Sequence, residues 1–167
     1  MTLSEISKAV FLWLFYVLFH IFITRHWVFL DNALCLVYLG AILFLPSELS
    51  AMAVLLIGFG TGLIVDSFDN TLGMHTAALT LVAFLRPYII NSQLVQKNND
   101  TQIVLSLNAL GIANFLAYIS ILVIIHTTLL LLIDIGSFSY LLTTFIKIIS
   151  TIFLTTIMLT LTQVFVK

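Results

Sequence analysis

The residues of this chain that could do chemistry are gathered in one short polar stretch between two apolar runs. Asp66 and Asp69 supply two carboxylates, and His75 supplies an imidazole nine residues after the first of them. A zinc site uses three or four converging ligands, and only these three side chains are offered here, so we expect no metal and no other cofactor. A proton relay is a second interpretation, but the sequence shows no second half for it. Turn chemistry is the third, in which Asp69 and Asn70 start a turn and Thr71 caps the next helix.

Lys147 is the most unusual charge, because it lies well inside the last apolar run. A charged side chain at the centre of a membrane helix costs about 2.5–3.5 kcal/mol on insertion scales. The lysine could extend its long stem toward the interface, or it could pair with a carboxylate. We expect Asp66 to be the partner, because both residues lie toward the same side of the membrane in the topology predicted below.

A third set of polar residues follows a helical spacing in the fifth apolar run: Asn108, Gly111, Asn114 and Tyr118. Asparagine side chains in a membrane helix usually form hydrogen bonds across a helix interface, each worth roughly 0.6–2 kcal/mol. We therefore predict interhelical hydrogen bonds from Asn108, Asn114 and Tyr118. A small-molecule pocket on this face is the alternative.

Small residues precede and follow the polar stretch. Gly58 and Gly62 are four residues apart in an apolar run, so they share one helix face that another helix can approach closely. Gly73 and Ala77 have the same spacing at the start of the next run. These four residues predict either tight packing within the chain or a groove for the helix of a partner.

The composition places the chain in a membrane. Of its 167 residues, 62% are hydrophobic and 8% are charged, whereas a soluble domain has about 25% charged residues. The mean hydropathy is +1.23. The formal net charge is −1 and the basic residues never cluster, which argues against nucleic acid as a partner. The single cysteine, Cys35, excludes an intramolecular disulfide.

Six apolar runs predict an all-α protein, a compact bundle of six transmembrane helices in one domain, 1–167. The count falls to five if the second run is re-entrant. We expect Pro87 to end or kink the fourth helix. The fifth run is about 46 Å long as a helix, against about 30 Å of hydrocarbon, so it must tilt, project or kink near Gly111. The predicted helices cover 9–24, 27–45, 49–65, 74–86 or 74–90, 103–133 and 138–164.

The basic residues predict the orientation. With the N-terminus inside, Lys8, Arg86, Lys97 and Lys167 face the cytoplasm and Arg25 lies outside. Positive charges are enriched on the cytoplasmic side of membrane proteins. The expectation is therefore a multi-pass protein of the bacterial inner membrane with both termini in the cytoplasm.

The central stretch is similar to a known family. It reads Gly-Leu-Ile-Val-Asp at 62–66, Asn-Thr-Leu-Gly-Met-His at 70–75, Ala-Ala at 77–78 and Phe-Leu-Arg-Pro at 84–87. These motifs resemble those of the rod shape-determining protein MreD, and the Phe-Leu-Arg-Pro ending resembles members of its Bacteroidota branch. The specific match covers about 30 residues.

This resemblance implies a non-enzymatic membrane scaffold of the elongasome, the machinery of cell elongation and peptidoglycan synthesis. The implied direct partner is the bitopic protein MreC. The MreB filament, the RodA glycosyltransferase and its transpeptidase partner belong to the wider complex, together with membrane lipid.

The same family is similar in architecture to the S components of energy-coupling-factor vitamin transporters, which gives the alternative function: a substrate-binding transporter subunit. Such subunits often present an Ala-x-x-x-Ala surface on their first helix. Here the first run reads Phe-Leu-Trp-Leu-Phe-Tyr-Val-Leu-Phe-His at 11–20, with no face of small residues, and this argues against the alternative.

Overall fold

Helices dominate the computed structural model, which describes residues 3–29, 32–92, 105–134 and 141–165. A π-helical turn, His20–Thr24, extends the first helix, and the second apolar run contains two short strands and a 3-10 turn, Val37–Leu39. The strands, β1 (Val28–Phe29) and β2 (Ala33–Leu34), form an antiparallel pair. The α-helices within the described ranges are α1 (Leu3–Phe19), α2 (Gly40–Leu43), α3 (Ala51–Asp69), α4 (Met74–Ile90), α5 (Leu107–Asp134) and α6 (Leu141–Phe165).

Four helical stretches are long and apolar enough to cross a membrane. They are Leu3–Thr24, Ala51–Asp69, Leu107–Asp134 and Leu141–Val164, and Met74–Ile90 is a shorter apolar helix. A membrane crossing takes about 20 apolar residues in helical form. The chain therefore has the architecture of an all-α membrane protein, as its composition predicted.

The prediction of a spanning helix at 27–45 is wrong. This run forms the β1–β2 pair, the 3-10 turn and the four-residue α2 instead. Its apolar composition required burial, but burial does not by itself select a helix. A buried segment can leave its helical hydrogen bonds unmade where neighbouring side chains satisfy the backbone.

The second run nevertheless passes from one end of the bundle to the other. Asp69, at the end of α3, contacts His20 and Arg25, so α1 and α3 both finish at one end, which we call the Asp69 end. The carbonyl of Leu45 accepts a hydrogen bond from Arg86, near the end of α4. We call that end of the bundle the Arg86 end, and we call residues 33–45, which connect the two ends, the irregular crossing.

The remaining helices complete an alternating arrangement. Tyr118 in the first half of α5 contacts Arg86 in the second half of α4, so these two helices are antiparallel. Thr151 and then Thr155 of α6 contact Leu34 and then Leu36, so α6 runs in the same direction as the irregular crossing. The first turn of α1 and the last turn of α6 therefore lie on the side of the Arg86 end.

Side chains from other helices satisfy the backbone of the irregular crossing. The hydroxyl oxygens of Thr151 and Thr155 accept from the amides of Leu34 and Leu36 at 3.0 and 3.2 Å. At the other end, Tyr118 donates to the carbonyl of Leu43 at 2.9 Å. Every residue from 35 to 43 is buried. Non-helical backbone at membrane depth occurs where protein surrounds it and supplies the missing partners, and both conditions hold here.

Three boundaries differ from, or sharpen, the predictions. α3 continues to Asp69, one turn beyond the predicted end at 65, and closes at Asn70 in the left-handed conformation, with φ of 57°. α4 passes through Pro87 to Ile90, because a proline so near the end removes a single hydrogen bond. The expected interruption of the fifth helix lies at Gly111, whose φ of 73° is not helical.

Candidate functional site

Asp66 connects α3 to the start of α4. One carboxylate oxygen accepts hydrogen bonds from the hydroxyl of Thr71 and from the backbone amide of His75, the latter at 3.0 Å. The other oxygen accepts from the amide of Thr76 at 2.9 Å and from the Thr76 hydroxyl at 2.5 Å. Gly73, the residue that precedes α4, has no side chain to cap the helix. Asp66 therefore takes the place of the N-cap, and the positive end of the helix dipole favours its charge.

Two expectations about this turn are corrected. Thr71 does not cap α4, because its hydroxyl donates to Asp66. Asp66 does not pair with Lys147, since none of the ion pairs in the described part of the chain joins them. The four hydrogen bonds already saturate the carboxylate, and Lys147 lies half-buried on α6.

Gly58 and Gly62 lie where α3 packs against α4. A Cβ atom at Gly62 would lie 2.4 Å from the backbone Cα of Thr76, and one at Gly58 would lie 2.6 Å from the Cβ of Ala83. Both residues are buried within the chain. Of the two interpretations of this pair, the structure matches packing within the chain, and neither residue is accessible to a partner helix.

Gly73 and Ala77 do not take part in this close packing. A Cβ at Gly73 would meet nothing within 4 Å, and the residue has a φ of 79°, which side chains rarely adopt. Ala77 is exposed. At the start of α4 the alternative of packing within the chain therefore does not hold, and Gly73 provides the turn conformation. The alternative of a partner's helix at this position stays a prediction.

A buried polar cluster surrounds Tyr38 in the middle of the irregular crossing. The Tyr38 hydroxyl lies 2.6 Å from Nδ1 of His75 and 2.9 Å from Nε2 of His126. The ring of His20 packs edge-on against the Tyr38 ring, with centroids 4.6 Å apart. Tyr38 and His126 are fully buried, and His20 and His75 are nearly so. We call Tyr38, the three histidines and Asp69 the Tyr38 cluster.

Asp69 forms the outer edge of the cluster. One of its oxygens lies 3.5 Å from Nε2 of His20 and 3.7 Å from Nε2 of His75, and the other lies 3.9 Å from Nε of Arg25. Its side chain is 19% exposed, the largest fraction in the cluster. Asp69 therefore connects the buried histidines to the surface of the bundle.

The hydrogen positions in the cluster follow from simple counting. A phenol has one hydrogen, so Tyr38 donates to one imidazole nitrogen and accepts from the other. A carboxylate favours an N–H on the facing nitrogen, and this assigns a hydrogen to Nε2 of His75 and leaves its Nδ1 as the acceptor. Tyr38 then donates to His75, and Nε2 of His126 donates to Tyr38. This arrangement directs one hydrogen bond from His126 to Tyr38 and a second from Tyr38 to His75, and it turns Nε2–H of His75 toward Asp69 at 3.7 Å.

The Arg86 end contains a second buried polar group. Arg86 is 1% exposed, although the orientation argument placed its charge at the cytoplasmic surface. Its guanidinium donates to the carbonyl of Leu45 and, at 3.2 Å, to the hydroxyl of Tyr118. Tyr118 thus makes the interhelical hydrogen bonds expected of it. Asn114 donates to the carbonyl of Leu110 in its own helix, and Asn108 is exposed.

The sequence drew attention to only two members of the Tyr38 cluster, Asp69 and His75. His20 and His126 each stand alone in an apolar run, and Tyr38 lies in the run that was predicted to be a spanning helix. These residues come from separate elements, and no spacing in the sequence relates them. Within the described residues, no group of three or more His, Cys, Asp or Glu side chains is arranged to hold a metal ion.

Comparison with known proteins adds no family to this description. No protein-family model, no curated protein and no solved structure matches the chain.

Proposed function

We propose that this chain is a non-enzymatic scaffold of the bacterial elongation machinery, similar to MreD, and that it binds an MreC-like bitopic protein. The observation that supports the proposal is the use of the motif residues. Gly62 lets α4 approach to backbone contact, and Asp66 fixes the first turn of α4. Both residues of the motif therefore fix the geometry of two helices of the chain, a structural use that needs no catalytic group and is compatible with a scaffold.

The proposal includes a fold like that of transporter S components and a place in the inner membrane. Within the described residues, five helices and the irregular crossing run between the two ends of the bundle, which is compatible with that fold. Lys8 lies on α1 toward the Arg86 end, and Arg25 lies at the Asp69 end. With the Arg86 end in the cytoplasm, the exposed Lys8 lies on the side where positive charge is enriched.

Capture of partners from the native membrane tests the proposal. The tagged full-length chain is purified in a mild detergent, and the proteins and small molecules that accompany it are identified by mass spectrometry. We expect MreC and the elongation synthases. A bound vitamin together with a coupling subunit and an ATPase would instead support the S-component alternative, and recovery of neither set would contradict the scaffold.

Photo-crosslinking gives the test spatial resolution. Phe153 on α6 and Phe59 on α3 are 69% and 46% exposed, so each accepts a photoreactive phenylalanine without disturbing the interior. A scaffold gives a crosslink to MreC from at least one of these faces. A variant of Gly62 is unsuitable here, because its side chain would push against the backbone of Thr76 and would test the fold instead of the interface.

A further inference from the structure

A row of exposed apolar residues follows the first spanning helix at the Asp69 end, and the scaffold function gives it no role. Trp27, Val28 and Phe29 are consecutive, and they are 53%, 50% and 61% exposed. Val28 and Phe29 form β1, whereas Ala33, the partner of Phe29 in β2, is buried. Three adjacent apolar side chains are costly to leave in water, so this row requires a cover.

The backbone of this row limits how deep it can lie in the membrane. Residues 27–29 are exposed and non-helical, and no strand besides β2 pairs with β1 within the described residues. β2 also contacts α6, where the amide of Leu34 donates to Thr151. Non-helical backbone that faces lipid does not occur inside the hydrocarbon, because nothing there satisfies its polar groups. The row therefore lies outside the hydrocarbon.

The neighbouring helix shows how close to the hydrocarbon the row lies. α3 has 19 residues, which is about 28 Å as a helix and matches about 30 Å of hydrocarbon. Asp69, its last residue, lies 3.9 Å from Nε of Arg25, so Arg25 lies where α3 reaches the edge of the hydrocarbon. Trp27 follows two residues later, and tryptophan is enriched at this level because its ring is apolar and its N–H is polar. The row therefore lies among the lipid headgroups.

Arg25 begins this segment with only part of its guanidinium engaged. Its Nε donates to Nε2 of His26 at 3.0 Å and faces Asp69 at 3.9 Å. Within the described residues the two terminal nitrogens have no hydrogen-bond or ion-pair partner, and 26% of the side chain is exposed. The contacts at Nε therefore hold the guanidinium in place and leave four N–H donors for a ligand. His26 is exposed and accepts through Nε2, so its ring hydrogen is on Nδ1 and adds a fifth donor.

These donors favour an anion of a particular shape. The planar fork of a guanidinium matches two oxygens of a phosphate, and such charge-assisted contacts are roughly twice as strong as neutral hydrogen bonds. A phospholipid carries its phosphate in the headgroup layer, at the level of Arg25, and its acyl chains run into the hydrocarbon. Phe22, three residues before Arg25 in the spanning helix, is exposed and gives these chains an apolar surface. One lipid molecule can therefore pair with the cation and cover the apolar row.

We propose that residues 25–29 are a binding site for a membrane phospholipid. The terminal nitrogens of Arg25 bind the phosphate, and His26 donates from Nδ1 to the same headgroup. The glycerol backbone and the upper parts of the acyl chains cover the apolar row. The site holds the Asp69 end of the bundle at the level of the headgroups. This binding goes beyond a scaffold function and does not depend on it.

Nitrogen–phosphorus dipolar NMR tests the phosphate contact. The chain has only two arginines, Arg25 and Arg86, so labelling with ¹⁵N-arginine gives signals from two guanidinium groups. The full-length chain is placed in bilayers of phosphatidylethanolamine and phosphatidylglycerol in a phosphate-free buffer, so that lipid is the only source of ³¹P. We expect coupling to ³¹P to reduce the signal of the Arg25 terminal nitrogens. Arg86 is buried, so its signal should stay at full intensity.

Further samples assign the two signals and identify the source of the phosphate. Arg25→Gln should remove the coupled signal. If this variant does not fold, exchange with deuterated water assigns the signals, because Arg25 is partly exposed and Arg86 is buried. In a maltoside detergent with inorganic phosphate, the lipid site predicts no coupling. Full intensity of Arg25 in the bilayer would overturn the site, and equal coupling with inorganic phosphate would show a site for a free anion instead.

Fluorescence quenching tests the level of the apolar row. The chain has two tryptophans, and Trp13 lies inside α1, where it donates to Thr61. The contribution of Trp27 is the difference between the wild-type chain and Trp27→Phe, and the signal that remains in the variant belongs to Trp13. In bilayers of brominated phosphatidylcholine, bromine near the headgroup should quench Trp27 most, and bromine deep in the acyl chains should quench Trp13 most. Strongest quenching of Trp27 by deep bromine, or quenching by iodide in water alone, would contradict the site.

Discussion

The two ends of the bundle use buried polar groups in different ways. At the Arg86 end, Arg86 and Tyr118 donate to backbone carbonyls of the irregular crossing, at Leu45 and Leu43. At the Asp69 end, Tyr38 and the histidines contact one another and Asp69, side chain to side chain. A guanidinium is charged at any pH that a protein tolerates, whereas imidazoles and carboxylates gain and lose protons.

The difference distinguishes a polar cluster that satisfies the backbone from one whose side chains pair with one another. A polar side chain that satisfies the backbone replaces a helical hydrogen bond, and its removal leaves a buried group unpaired. A titratable side chain that contacts only other titratable side chains leaves the backbone unaffected. Because the side chains are buried in both cases, burial does not distinguish them. The distinction lies in whether the hydrogen-bond partner is a backbone group or another titratable side chain.

The largest effect expected from this comparison belongs to the two arginines. Arg86→Leu leaves the carbonyl of Leu45 without its donor and should lower the free energy of unfolding by about 3 kcal/mol. Arg25→Leu removes a 3.9 Å contact to Asp69 and an exposed hydrogen bond to His26, and it should change the free energy of unfolding by about 1 kcal/mol or less. Denaturant titration in mixed micelles measures both variants. Equal effects would mean that the two ends are held in the same way.

A pair of glycines in α3 comes next. Gly62→Ala places a methyl group 2.4 Å from the backbone of Thr76, and overpacking of this kind costs roughly 2–3 kcal/mol. Gly60→Ala meets nothing within 4 Å, so it should stabilise the helix by about 0.5–1 kcal/mol. Denaturant titration should show a lower free energy of unfolding for Gly62→Ala and a higher one for Gly60→Ala. An unchanged free energy of unfolding in Gly62→Ala would contradict the tight contact between α3 and α4.

The two neighbouring carboxylates sharpen the comparison within the Asp69 end. Asp66→Asn replaces one accepting oxygen with an amide donor that faces other donors, and we expect a loss of about 2 kcal/mol. Asp69→Asn should cost less than about 1 kcal/mol, because its contacts are long and partly exposed. Thermal unfolding in bilayers compares the two. A larger loss of stability in Asp69→Asn than in Asp66→Asn would mean that Asp69, and not Asp66, is the carboxylate that holds the fold.

The smallest effect concerns the threonines of α6. Thr155→Val removes the acceptor of the Leu36 amide while keeping the side-chain shape, and it should cost about 1 kcal/mol. Thr160→Val is the matched control, because the Thr160 hydroxyl donates only within its own helix, to Thr156. Backbone hydrogen exchange at Leu36 should accelerate in the first variant and stay unchanged in the second.

The sequence predicted the features that depend on composition or on local conformation. Long apolar runs predicted the spanning helices, and the excess length of the fifth run together with Gly111 predicted its interruption. The spacing of Gly58 and Gly62 predicted close helix packing. Each of these features depends on residues within a single segment, so the sequence of that segment was enough to predict it.

The features that the sequence did not predict depend on distant partners. In the sequence, the irregular crossing cannot be told from a helix. It is buried on all sides, so its apolar residues follow neither the helical nor the strand periodicity. Only Thr151, Thr155, Tyr118 and Arg86, from other helices, explain why its backbone can leave the helical form. The Tyr38 cluster was hidden for the same reason, and Asp66 was assigned to Lys147 because the amides of the following turn carry no sequence signal.

The irregular crossing also has a consequence for the order of events during synthesis. The partners of the Leu34 and Leu36 amides follow 117 and 119 residues later in the chain, and ribosomes add about 5–20 residues per second. Segment 33–45 must therefore wait several seconds, unpaired, for α6 to emerge. Cys35, 2% exposed in the folded chain, can report this delay: a nascent chain that stops before residue 141 should react with a thiol reagent, and the finished protein should resist it.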